Sequence, residues 1–196
     1  MRLTRWTTFL LLAALSLSCR AEPQAHKTPE WSLVIHGGAG VIAPDKIGDD
    51  RDDYVAALHR ALETGAAVLK RGGNSLDAVE QVLNLLEDDP LFNAGRGAVY
   101  NWEGGHDLDA SIMSGEDRAC GAVAGVTTVK NPISLARLVM ERSDHVLLAG
   151  AGAEEFAETM GVELVESAYF DTEGRRESWR KHREKAEKHG TVGCVA

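Results

Sequence analysis

Gly190 and Thr191 pair a hydroxyl nucleophile with the carbonyl it could attack. A charged, lysine-rich run stops there, and small and β-branched residues begin at Thr191, as they do where a buried strand starts. Glycine has no Cβ, so its carbonyl can adopt a strained geometry that is open to attack. Addition of the Thr191 hydroxyl to the Gly190 carbonyl would shift the acyl group from nitrogen to oxygen, and water would then cleave the ester. Thr191 would emerge as a new N-terminus with a hydroxyl and a free α-amine on one residue. An α-amine has a pKa of about 7.7–8.0, so part of it is neutral near pH 7 and can act as general base. A turn entering a strand would also read Gly-Thr, so the rest of the chain decides between the two.

Two further stretches have residue types suited to a site. His36-Gly37-Gly38-Ala39-Gly40 follows the short apolar run Trp31–Ile35, and its clustered glycines allow backbone to lie close to a ligand or another segment. Gly38-x-Gly40-x-x-Ala43 formally fits a dinucleotide fingerprint, but Pro44-Asp45-Lys46 interrupt where a helix must open. No acidic residue closes a second strand about 20 residues on, as that motif also needs. Leu86 to Gly97 gathers Glu87, Asp88, Asp89, Pro90, Gly95 and Gly97 into a tight loop. Its backbone carbonyls could hold a hard cation through oxygen. The plainer reading is a helix end with a solvated acidic patch. Cys19, Cys120 and Cys194 lack the spacing of a zinc site or a disulfide framework, and the last two sit in apolar runs expected to be buried.

The elements that must position these stretches follow from periodicity. Apolar residues from Tyr54 to Leu69 recur at helical spacing, and Gly72-Gly73 ends that helix. Asn74 or Ser75 caps a second, with Leu76, Val79, Val82, Leu83 and Leu86 on one face. Leu108, Ala110 and Ile112 alternate with Asp107, Asp109 and Ser111, a half-buried strand. Ser114 to Asp117 turns the chain into the buried strand Ala119–Val129, so the pattern predicts a hairpin and antiparallel sheet. Asn131-Pro132 supplies a cap and an N1 proline for a helix to about Arg142. A strand at His145–Ala149 and a helix from Ala153 to Met160 follow, giving an α+β chain with helix layers over sheet. Thr64, Asp109 and Thr127 read as structural.

The whole chain has 196 residues, 44% of them hydrophobic, enough for one core-forming domain. A net charge of −9 disfavours a nucleic-acid partner. Residues 1–19 read as an export signal: Arg2 and Arg5 precede an apolar segment, Phe9–Leu17, too short to span a bilayer. Leu15 to Cys19 imperfectly matches a lipoprotein cleavage box. Lipidation of Cys19 at a bacterial membrane and release near Ala21 into the periplasm both remain open. Residues 20–30 form a tether, and 171–190 a charged, mobile, partly helical linker.

Taken together, the chain resembles the plant-type L-asparaginase/isoaspartyl peptidase family of N-terminal-nucleophile hydrolases from about Trp31 to Ala196. The match is carried by His36–Gly40, Pro90–Gly97, Leu108–Met113, Gly121–Val126, Lys130–Ile133 and His189–Gly193. The resemblance implies an αββα sandwich made as a precursor and cut between Gly190 and Thr191. Residues 31–170 would be the α-subunit part and 191–196 the start of the β subunit. Thr191 would attack asparagine or β-aspartyl dipeptides through an acyl-enzyme, and Asn93 corresponds to an active-site asparagine. His36, Gly37 and Gly38 would lie near the scissile bond. No cofactor is implied for catalysis, but a structural sodium is, on main-chain carbonyls of Leu86, Glu87, Asp89, Phe92, Ala94 and Arg96. Partners would be the chain's own β subunit and a second αβ unit. The family's β subunit continues far past the threonine, and this sequence stops five residues after it. The resemblance therefore implies an incomplete sandwich, inactive and poorly stable alone. The alternatives are a glycosylasparaginase-like relative, which His36–Gly40 disfavours, and a non-catalytic remnant.

Overall fold

The computed structural model of the chain describes residues 30–38 and 50–188. Within the unit that begins at Trp31, α1 spans Arg51–Lys70, with Asp52 and Asp53 in the first turn and Lys70 in the last, which suits the helix dipole. The chain leaves α1 through Gly72 at φ +80°, a conformation glycine adopts freely. Asn74 then caps α2, Ser75–Asp88, by accepting from Asp77 N at 2.8 Å. The two helices pack closely at Gly65. A Cβ there would lie 2.7 Å from Val82 Cγ2 and 2.6 Å from Leu33 Cδ2. Ala57, Ala61, Val82, Leu86 and Phe92 form the core between them.

A second core lies under a three-stranded sheet. Strands β1, Leu108–Met113, and β2, Cys120–Val126, form the expected antiparallel hairpin. Asp117 holds its turn by accepting from Ala119 N at 3.0 Å. Helix α3, Pro132–Arg142, crosses β2 so closely that a Cβ on Gly121 would meet Ala136 O at 2.2 Å. Strand β3, Leu147–Ala149, then adds to β2 in parallel. The sheet is therefore mixed, where hairpin signals alone predicted an antiparallel one. A helical crossover returns the chain to the same end of the sheet, and parallel pairing follows. Helix α4, Gly150–Met160, closes at Gly161 with φ +71°.

Three other expectations change. Trp31–Ile35 has no ladder partner among the described residues, although Leu33 and Ile35 pack on the α1–α2 core. Asn131 does not cap α3. Its Nδ2 donates to Glu87 and Asp88, both at 3.2 Å, and Glu87 Oε1 accepts from Ile133 N at 3.0 Å. The cap thus comes from α2, which fixes α3 against it. The charged segment, expected to be partly helical, forms one continuous helix, α5, Glu173–Lys188. Just ahead of it, a short 3-10 turn at Ser167–Phe170 buries Phe170 completely. Burial of that ring contributes on the order of 2–3 kcal/mol to holding the start of α5 in place. Among the described residues the architecture is thus five α-helices and one small sheet, a mixed arrangement compatible with an α+β fold.

Candidate active site

The loop after α2 contains the densest set of nominated residues. Helix α2 ends where Pro90 stands four residues past Leu86, so Leu86 O has no N–H to accept from there. Glu87 O loses its usual donor too, because Leu91 N turns to Asp89 Oδ1 at 3.1 Å. Phe92 N bonds Asp89 O at 3.2 Å, and Gly97 N bonds Ala94 O at 3.0 Å. The curl is so tight that a Cβ on Gly95 would sit 2.3 Å from Glu87 O, and one on Gly97 2.0 Å from Phe92 O. Gly95 also takes φ +46°. Carbonyl oxygens crowded against glycines, with two lacking helical donors, fit a hard cation bound through oxygen. Arg96 directs its guanidinium over the Tyr169 ring, 5.8 Å from the centroid, so only its carbonyl is available to such an ion.

Glu87 lies buried at the base of this loop, 6% exposed. Burial pushes its carboxyl up to about 8, against the pull of the Ile133 and Asn131 donors. Both oxygens are engaged in joining α2 to α3, so its role is to clamp the loop's base.

Asn93 stands at the loop's apex. Its Oδ1 accepts from Val99 N at 2.9 Å, which leaves Nδ2 without a hydrogen bond among the described residues. Beside it runs the glycine segment. Gly38 adopts φ +114° and donates to His36 Nδ1 at 3.3 Å. A Cβ on Gly37 would press on Leu58 and Phe92 at 3.0 and 3.2 Å. His36, Gly37, Gly38 and Asn93 line one cavity of about 230 Å³, together with Glu87, Phe92, Ala94, Asp109 and Ser111. The structure therefore brings the glycine segment, Asn93 and four of the carbonyl-loop residues, Leu86, Glu87, Phe92 and Ala94, to one place. A larger groove, about 670 Å³, lies between α1 and α2 and is lined by Arg60, Glu63 and Asp89, away from Asn93 and His36.

Asp109, expected to be structural, lies on the cavity wall. Leu108 pairs with Val126 but Ala110 pairs with Val123, so two residues of β2 oppose Asp109 in a bulge. Gly125 supplies the left-handed residue at φ +62°, and Asp109 Oδ1 accepts from Gly125 N at 2.8 Å. The alternation that put Asp107, Asp109 and Ser111 on one face was the signal for this placement. Thr127 fits its structural reading: Thr127 N and Thr128 N both donate to Glu154 Oε1. Desolvation raises the Glu154 carboxyl, yet these donors outweigh it and the group stays below its ordinary range. Thr191, Gly190 and Cys19 lie outside the described residues, as does Cys194. Cys120 is half-buried.

A family profile described as Asparaginase matches residues 29–196. The chain is similar to the isoaspartyl peptidase of Salmonella typhimurium, 43% identical over 179 residues that cover 84% of this chain and 57% of the relative. It is similar to the plant-type L-asparaginase of Pyrococcus furiosus, 44% identical over 161 residues, 82% and 50% of the two chains. The isoaspartyl peptidase/L-asparaginase of Mus musculus is 43% identical over 175 residues, 84% and 52%. The chain spans about half the length of the curated relatives it matches.

Proposed function

The chain belongs to the asparaginase family, and we propose that it is the α-subunit portion of an amidohydrolase that cleaves L-asparagine or β-aspartyl dipeptides with Thr191 as nucleophile. The observation that supports this most directly is the single cavity shared by the His36–Gly38 segment and Asn93. An amide N–H that makes no hydrogen bond among the described residues is a donor a substrate carbonyl can use.

Self-cleavage comes first. Thr191 Oγ bonds to the Gly190 carbonyl carbon, the Gly190–Thr191 C–N bond breaks, and the hydroxyl proton passes to the departing nitrogen. Water then hydrolyses the ester, leaving a Gly190 carboxylate and a free Thr191 amine. In turnover that amine takes the hydroxyl proton as Oγ attacks the substrate's side-chain amide. The amide nitrogen leaves with a proton as ammonia or as the α-amino group of the dipeptide's second residue, and water releases aspartate from the acyl-enzyme. Asn93 Nδ2 would donate to the developing oxyanion.

Carbonyls of Leu86, Glu87, Asp89, Phe92, Ala94 and Arg96 would hold a sodium ion that stiffens the loop bearing Asn93. A second sheet and helix layer, supplied by β-subunit sequence, would complete an αββα sandwich, and two such αβ units would pair. Residues 1–19 would direct export. The exposed Met113, Val146 and Leu147 on β1 and around β3 support such a covering layer, at 61%, 59% and 55% exposure.

Hydrolysis of asparagine and of β-aspartyl dipeptides by the complete gene product, compared with Thr191→Ala and Thr191→Ser, tests the reading. Loss of both activities in Thr191→Ala with partial retention in Thr191→Ser is expected. Unchanged hydrolysis in Thr191→Ala would refute it.

A further inference from the structure

Resting on the self-cleavage reading above, we propose that Trp179 and Arg183 are positioning residues for that step, anchoring α5 so that the Gly190–Thr191 segment is delivered from a fixed point.

The sequence of α5 is mostly charged and carries no apolar stripe, so its own packing face is narrow. It is held instead by a set of contacts with the Val99–Gly105 turn. Trp179 stacks on Tyr100 with centroids 5.7 Å apart. The same indole covers Gly104, which has φ +91°, and a Cβ there would meet the ring at 3.0 Å. Trp179 Nε1 makes no hydrogen bond among the described residues, so contacts of its ring hold it. Arg183 lies over both tryptophan rings, 5.1 Å from Trp102 and 5.3 Å from Trp179, and its Nη1 donates to Trp102 O at 3.3 Å. About two turns of helix nearer the N-terminus, Arg175 Nε donates to Gly97 O at 2.8 Å, in the same loop that bears Asn93. The helix before the scissile bond is thus tied to the cavity-forming loop.

The reach is short. Five helical residues separate Arg183 from Lys188, at about 1.5 Å each. Three more residues reach Thr191, at roughly 3.3–3.6 Å each if extended. Thr191 therefore stays within about 18 Å of the Arg183 anchor. Without the anchor, the nearest remaining tie is Arg175 on Gly97 O. The free segment grows from seven residues, 184–190, to fifteen, 176–190. Closure probability falls as about the 3/2 power of length, which lowers the chance of correct placement about threefold.

A time course of intact mass on the complete gene product tests this. Trp179→Ala and Arg183→Gln should each slow the Gly190–Thr191 cut, by up to about threefold, while Trp179→Phe, which keeps the stack, cleaves at close to the parental rate. Once cleaved, all three should hydrolyse substrate with parental kcat and KM, because none touches it. Parental cleavage rates in both Trp179→Ala and Arg183→Gln would overturn the proposal, even if Trp179→Ala melts lower. If the parent itself is never cut, the self-cleavage reading fails and takes this inference with it. A cut parent with unaffected variants sinks the anchor alone.

Discussion

Asn93 commits one amide atom to the fold, and the other makes no hydrogen bond among the described residues. Val99 N occupies Oδ1, so the side chain's orientation is fixed before any substrate arrives. Pre-aimed donors of this kind lower a barrier because no reorganisation is needed at the moment of reaction. Asn93→Ala should therefore lower kcat of the complete enzyme by about 10²–10³-fold, the usual loss for one oxyanion donor. A steady-state assay on asparagine checks this, and an unchanged kcat would remove Asn93 from the mechanism. The residue was legible in the sequence through its motif alone, since nothing in Phe92-Asn93-Ala94 states which amide atom is engaged. The place of Asp109 on the cavity wall was not legible for a comparable reason. Alternation placed it on the right face, but the bulge that brings Gly125 N to its carboxylate depends on β2 pairing, which local pattern does not encode.

Secondary elements were easier to read where a cap or a glycine marks them. Helices α1, α2 and α4 end at glycines or begin at Asn74, and their bounds were close to expectation. Helix α5 was not so marked, because its contacts come from single aromatic and arginine side chains and not from a stripe. At the junction before it, Tyr100 OH donates to Asp171 at 2.7 Å, His106 Nε2 lies 3.2 Å away, and Arg176 pairs with the other oxygen at 2.5 Å. The Tyr100 hydrogen bond, aided by His106 and Arg176 and opposed by desolvation, holds the Asp171 carboxyl below its ordinary range. A depressed carboxylate stabilises the fold above the unfolded value of about 3.9, and that contribution is lost as pH falls through the lower folded value. Asp171→Asn should thus melt lower than the parent at pH 7, with the gap closing below about pH 4. Thermal melts across that range decide it. A gap independent of pH would mean the carboxylate's charge is not what holds the start of α5.

For the molecule as a whole, the described residues have two cores and one sheet face bearing exposed Met113 and Leu147. Acidic charge dominates, −9 overall, while α5 gathers arginines and lysines beside the Asn93 loop. Composition and motif order made the family legible across the whole of the matched residues. The tie between α5 and the site was not legible, since it rests on Trp179, Arg183 and Arg175 meeting groups some eighty residues earlier. The central claim is that Thr191 frees itself and becomes the nucleophile. Intact mass of the product expressed from its own gene tests this most directly. The account predicts two species split between Gly190 and Thr191, and a single uncut species in Thr191→Ala. An uncut parent that still hydrolyses asparagine, or a cut elsewhere with activity retained, would contradict it.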